Sequence, residues 1–303
     1  MNQWGLSWTR NPAGGLSRRF CFVVIWGAMS RDFRQLLEAQ WEQGRFLCVG
    51  LDPDFDKIPE AAHKGGTRET IVNFNRSIID ATRDLVCAYK PNSAFYEAHG
   101  DEGWNALRET IQYIRDQAPE VAVILDAKRG DIGNTNTGYV ESAFDHLHAD
   151  AVTVQPYPGR EAIQPFLDRT DKGVIVLCKT SNDGASEFQD LSVEGKPLYQ
   201  VVARHVAKDW NTNGNCALVV GATYPEELAE VRKIVGDMPI LIPGIGTQNG
   251  DLEKTVKAGK DSRGKGMIIS ASRAVIFASD GADFAAKARE KATELDSAIR
   301  AAL

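Results

Sequence analysis

Short apolar runs, rich in Val and Ile and nearly free of polar alternation, recur along the chain. They read RFLCVGLD (45–52), LVCAYKP (85–91), VAVILDAK (121–128), AVTVQPY (151–157), GVIVLCKT (173–180), CALVVGAT (216–223), PILIPGIG (239–246) and GMIISASR (266–273). Continuous apolarity marks strands buried on both faces, as in a parallel sheet. Most intervening segments carry helical periodicity: ETIVNFNRSIIDATRDL after the first run, GWNALRETIQYIRDQAP after the second, NTGYVESAFDHLHAD after the third and PEELAEVRKIVGD after the sixth. Eight buried strands alternating with helices predict a single α/β domain, a (β/α)8 TIM barrel of parallel strands. The rival is an open doubly wound sheet. No GxGxxG follows the first run, and no Pro/Ser-rich linker or second domain interrupts the series. The count therefore favours the barrel.

The runs also end alike. Asp52, Lys90 with Asn92, Asp126 with Lys128, Gln155, Lys179 with Thr180 and Ser181, Gly244 with Gly246, and Ser272 with Arg273 close seven of them in polar or special residues. In a parallel barrel every C-terminal strand end opens on one face, where active sites sit. The densest of these ends is VILDAKRGDIGNT (123–135). Asp126 and Lys128 stand two apart, which on a regular strand places both on one side. Asp131 follows in the loop, and Lys90 ends the neighbouring run. Alternating charges in a low-dielectric site hold one another ionised. A structural ion-pair network plugging the barrel top is the plainer reading. Buried ion pairs add little net stability, however, so chemistry explains so dense a cluster better.

At the far end of the series, PGIGTQNGD (243–251) is a Gly-rich loop after the seventh run, and SASRAV (270–275) carries Arg273 after the eighth. The corresponding loops of barrels bind phosphate through backbone N–H groups, and an arginine adds a bidentate donor. A glycine turn needed only for its geometry is the alternative. Thr180 and Ser181 in KTSN are candidate donors to a substrate, with ordinary turn chemistry nearly as good a reading.

Composition narrows the class. Hydrophobic residues at 43% and charged residues at 25% are ordinary for a soluble globular protein. The net charge of −6 argues against a general nucleic-acid binder while leaving room for a local basic pocket. The five cysteines (Cys21, Cys48, Cys87, Cys178, Cys216) are odd in number and form no CxxC. They read as buried thiols of a reducing compartment, which for this chain means the cytoplasm, rather than disulfides or a zinc site. The five histidines are scattered, none ends a strand, and His146 and His148 read as surface positions of one helix that do not share a face. There is no GxSxG. No metal is expected.

SRRFCFVVIWGAM (17–29) loosely imitates a secretory signal. Its polar, Gly- and Pro-containing lead is unusual for that role, and the apolar run is too short to span a bilayer. Met29 precedes SRDFRQLLEAQWEQG, a good amphipathic opening helix. Residues 1–28 are therefore read as an upstream extension, poorly ordered or loosely docked, and residues 29–303 as the barrel.

DAKRGDIGNT closely resembles the signature of the orotidine 5′-phosphate decarboxylase family, in the form typical of its longer bacterial branch and parasite relatives. GLDPD, YKPNSAFYE, KTSN, VVGAT, PGIGTQ and ASR resemble that family in order, over about residues 29–300. The DxKxxD core alone is shared with a wider group of phosphosugar barrels. The resemblance implies a homodimeric lyase that converts orotidine monophosphate to uridine monophosphate and carbon dioxide in de novo pyrimidine synthesis. It implies no organic or metal cofactor, no nucleic-acid partner and no membrane. By resemblance, Lys128 is the proton donor to carbon 6, Asp126 crowds the substrate carboxylate, and Lys90 completes the charge network and contacts ribose. Asp131, with Ile132 and Thr135, resembles the segment supplied across the dimer interface. Asp52 matches a ribose-hydroxyl ligand with Asn92 beside it, and Thr180 and Ser181 match the pyrimidine-recognition position. Gly246, Gln248 and Arg273 match the phosphate grip. The loop from Asn182 to about Gly195 and the loop after PGIGTQ are lid candidates. Two alternatives stand: a magnesium-dependent hexulose-phosphate synthase or ketogulonate-phosphate decarboxylase, and a nucleotide-binding barrel without turnover.

Overall fold

The computed structural model describes residues 31–246 and 251–303. The proposed extension, residues 1–28, and Gln248 lie outside the described residues. All eight expected strands form: β1 (Leu47–Leu51), β2 (Val86–Pro91), β3 (Ala122–Arg129), β4 (Ala151–Val154), β5 (Gly173–Lys179), β6 (Cys216–Val220), β7 (Ile240–Pro243) and β8 (Met267–Ala271). They close a barrel in which each strand neighbours its sequence neighbours and β1 meets β8. Every barrel pairing is parallel. The open doubly wound alternative is excluded, because no strand edge remains.

The apolar runs are buried on both faces because their inner side chains fill the barrel and their outer ones meet the helices. Thr67–Thr82, Gly100–Gln117, Pro225–Val235 and Phe284–Ala302 supply much of that outer ring. The segment after β3 starts as the helix Asn134–Val140 and widens to a π-type turn at Glu141–His146. His148 falls beyond it with φ +57°, so the two histidines do not share a helix, although both are exposed.

The opening helix forms at Phe33–Glu42, capped by Asp32, whose side chain accepts from the Gln35 N–H at 2.8 Å. It covers the barrel end opposite the charged strand ends. Trp41 Nε1 donates to the Met267 carbonyl at 2.8 Å, and Arg31 pairs with the fully buried Asp150 at 2.7 Å. Phe33 lies so close to Gly173 that a Cβ there would sit 2.2 Å from its ring, which is why β5 opens with glycine. Cys48, Cys87, Cys178 and Cys216 are buried free thiols. Among the described residues, no helix is long and apolar enough to cross a membrane.

Candidate active site

The charged strand ends meet at the C-terminal mouth of the barrel. Lys90 Nζ lies 3.0 Å from Asp126 Oδ2 and 4.0 Å from Asp52 Oδ1, while Lys128 Nζ lies 2.7 Å from Asp126 Oδ1. Asp126 is thus clamped between two ammonium groups, one on each oxygen. Lys90 is 5% exposed and Asp126 8%, whereas the Lys128 side chain is 45% exposed and faces the opening.

Regular strand alternation does not bring Asp126 and Lys128 together. Between Leu125↔Val152 and Arg129↔Val154, four steps of β3 are matched by two of β4, so β3 bulges there. Lys128 takes φ +46°, a left-handed backbone that side chains other than glycine seldom adopt. The bulge turns its ammonium back onto Asp126. From β4, Thr153 Oγ1 accepts the Lys128 backbone N–H at 2.9 Å and donates to Asp126 Oδ1 at 3.0 Å.

The electrostatics follow from this packing. Burial alone would pull the Lys90 pKa down, but Asp52 and Asp126 outweigh it and hold the group above the ordinary lysine value. Burial would raise Asp126, yet Lys90 and Lys128 outweigh that and hold its carboxyl well below the usual carboxylate range. Burial pushes the nearby Cys48 thiol up to about 12 despite Lys90, so it stays protonated. The sign of the pH dependence is fixed. Asp126, depressed, contributes stability that is complete above its unfolded pKa and lost as pH falls through its folded one. Lys90, raised, contributes stability that is complete below its unfolded pKa and lost as pH rises through its folded one. The unfolding midpoint should hold steady between about pH 5 and 9 and fall below about pH 4, less steeply in Asp126→Asn. Thermal melts across pH check this, and equal slopes below pH 4 would remove Asp126 as the source.

Asp52 follows β1 directly. Its Oδ1 is buried with no hydrogen-bond partner, a free acceptor at the mouth. Tyr96 Oη donates to the Leu51 carbonyl at 2.9 Å and takes Asn75 Nδ2 at 3.0 Å, pinning the residue before it. Asn92 bridges to Asp126 along the backbone. On the other side of the mouth, Gly246 has φ +92°, and a Cβ there would come 2.8 Å from Ala274, so the loop after β7 packs on the turn that starts at Arg273. Arg273 is exposed and has no ion-pair partner among the described residues.

Residues 45–288 match the sequence model described as "Orotidine 5′-phosphate decarboxylase / HUMPS family". The chain belongs to that family. It is 52% identical over 268 residues to an orotidine 5′-phosphate decarboxylase of Janthinobacterium sp. (strain Marseille), covering 88% of this chain and 97% of the relative. Among solved structures, the Leishmania donovani OMP decarboxylase superposes with a TM-score of 0.77 at 41% identity, covering 89% of this chain and 98% of that one. The Leishmania donovani UMP synthase gives a TM-score of 0.80 at 42% identity over 89% of this chain. This chain spans only 56% of that synthase.

Four of the expected site residues form one cluster: Asp52, Lys90, Asp126 and Lys128. Asp131 does not join it within this chain. It is exposed, has no ion pair among the described residues, and its Oδ1 accepts from the Ile132 N–H at 2.7 Å. Thr135 is exposed, and Ile132 is 65% exposed. Lys179 stands apart from the cluster its strand-end position suggested. Its side chain is buried, Nζ pairs with Asp190 at 2.6 Å, and the rings of Tyr224 and Tyr199 lie 4.8 and 5.6 Å away.

Asp190 belongs to the loop read as a lid. That loop contains the helical turn Ser186–Gln189 and a hairpin of Ser192–Val193 with Lys196–Pro197. Glu194 and Gly195, both at positive φ, make its turn, a signal the sequence reading missed. Gln189 Oε1 accepts the Thr180 N–H at 2.9 Å, and its Nε2 donates to Thr180 Oγ1 at 2.8 Å. Thr153, Tyr96, Asn75, Gln189 and Asp190 were all absent from the sequence-based site.

Proposed function

We propose that this chain decarboxylates orotidine 5′-monophosphate to uridine 5′-monophosphate and carbon dioxide by electrostatics alone. The observation that carries the reading is the bulge that fixes the Lys128 ammonium 2.7 Å from Asp126, with Lys90 on the other oxygen. The bond from carbon 6 to the carboxylate breaks, its electron pair stays on carbon 6, and carbon dioxide leaves. Lys128 stabilises that developing charge and then delivers a proton to carbon 6. Its exposure lets solvent restore the proton. A cation already held in place needs no reorganisation as charge develops, which is the strongest form of such stabilisation. Asp126 disfavours the substrate carboxylate beside it and keeps Lys128 oriented.

In this reading the free acceptor of Asp52 takes a ribose hydroxyl, with Lys90 and Asn92 beside it. Thr180 and Ser181 read the pyrimidine, and Arg273, Gly246 and Gln248 hold the phosphate. Phosphate binding, remote from carbon 6, then drives closure of the lid loops. The enzyme works as a homodimer in the cytoplasm, and Asp131, Ile132 and Thr135 reach the partner's site. The exposure of Ile132, and of Tyr157 at 96% after β4, supports a covered surface there. The boundary near Met29 belongs to the same reading, with residues 1–28 outside the catalytic barrel.

The deciding assay follows the ultraviolet band of orotidine monophosphate with purified protein in excess EDTA. Loss of the band with uridine monophosphate as product is expected. No change, with magnesium restoring turnover of a sugar phosphate, would move the chain to the metal-dependent branch. Tight uridine monophosphate binding without turnover would leave a non-enzymatic barrel.

A further inference from the structure

We propose that Thr153 is a positioning residue for this decarboxylation, holding the Lys128 backbone and the Asp126 carboxylate to one another through a single hydroxyl. The proposal rests on the reading that Lys128 and Asp126 carry the chemistry.

Thr153 sits on β4, 1% exposed. Its Oγ1 accepts from the Lys128 N–H at 2.9 Å and donates to Asp126 Oδ1 at 3.0 Å. The same Asp126 oxygen receives Lys128 Nζ at 2.7 Å. Backbone N–H, hydroxyl, carboxylate and ammonium therefore close a ring that begins and ends on Lys128. A hydroxyl has one proton, so accepting on one side and donating on the other fixes its orientation. Bonds linked in this way also polarise one another.

The ring lies where the backbone needs it. Lys128 holds φ +46° at the bulge of β3, and the pairing with β4 resumes only at Arg129↔Val154. Unusual backbone geometry persists only where the surroundings over-determine it. Thr153 supplies that constraint from the neighbouring strand, at the residue whose side chain must present a proton. A threonine chosen only for strand propensity or packing would be replaceable by valine, which keeps the branched shape. Valine here leaves the Lys128 N–H unpaired and takes one donor from Asp126.

The test compares Thr153→Val, Thr153→Ser and Lys128→Ala in steady-state kinetics, with uridine monophosphate affinity measured on each. Thr153→Val should lose about 10–100-fold in kcat, the scale of a misplacement near 1 Å. Its KM and uridine monophosphate affinity should stay within about threefold, and Thr153→Ser should return kcat to within about threefold of wild type. Thr153→Val with wild-type kcat, in a protein that Lys128→Ala inactivates, would overturn the positioning role alone. An active Lys128→Ala would instead overturn the catalytic reading beneath it. If Thr153→Val does not fold, Thr153→Ala against Thr153→Ser decides: a gap in kcat of at least about tenfold supports the role, and equal values overturn it.

Discussion

Lys128→Ala should lose at least about 10³-fold in kcat while still binding uridine monophosphate. A positioned acid contributes about 10²–10⁴-fold, and removing a preorganised charge beside the reacting atom costs about 10²–10³-fold. The two roles reside in one ammonium, so the losses overlap rather than multiply. Single-turnover absorbance on saturated protein reads the loss directly. A variant keeping more than about a tenth of turnover, a loss under about 1.4 kcal/mol, would take Lys128 out of both roles. The same variant tests the shared site. Mixing Lys128→Ala with Asp131→Ala should restore about a quarter of wild-type activity, because half the exchanged dimers carry one site with both native residues. Continued inactivity after verified subunit exchange would sink the claim that Asp131 serves the partner.

Asp126→Ala should damage stability as well as turnover. Lys90 is buried, and Asp126 is its close partner at 3.0 Å, with Asp52 only at 4.0 Å. Breaking a buried pair from one side leaves an uncompensated charge and costs about 3–5 kcal/mol. The remote help of Asp52, and the ease with which half-exposed Lys128 rehydrates, place the expected loss near the lower end. Replacing both partners, as Asp126→Leu with Lys90→Met, should recover much of that stability and none of the activity. Denaturant unfolding checks the first part and the decarboxylation assay the second. A loss below about 1 kcal/mol for Asp126→Ala would mean that the clamp is more open to water than its burial indicates. The pair of outcomes separates two properties that a single variant confounds. Recovered stability without activity would show that the network serves the substrate at some expense to the fold.

The sequence made the barrel legible because its strands are continuous apolar runs. Each begins within two residues of the expected position, from Leu47–Leu51 to Met267–Ala271. Lys90, Asp126 and Lys128 were legible because charge at the end of such a run has no cheap structural explanation. How they meet was not. Period-two alternation assumes a regular strand, and nothing in DAKRG announces the bulge that turns Lys128. Thr153 was invisible for the opposite reason: a β-branched residue inside a strand is ordinary, and only its neighbours give its hydroxyl a task. Lys179 shows the limit of position alone. It ends a strand as Lys90 does, but the strand end does not say whether a side chain turns to the mouth or to a loop.

The order of the strands in space repeats their order in the chain, and the seam lies between β1 and β8. Asp52, Lys90, Asp126, Lys128 and Thr153 therefore all precede, in chain order, the strand that closes the barrel. Met267–Ala271, the strand that gives β1 its second neighbour, is the last of the eight in the chain. Until that strand is in place, one edge of β1 has no barrel neighbour. The charged cluster comes early in the order of the strands, and the barrel around it closes only with the last of them.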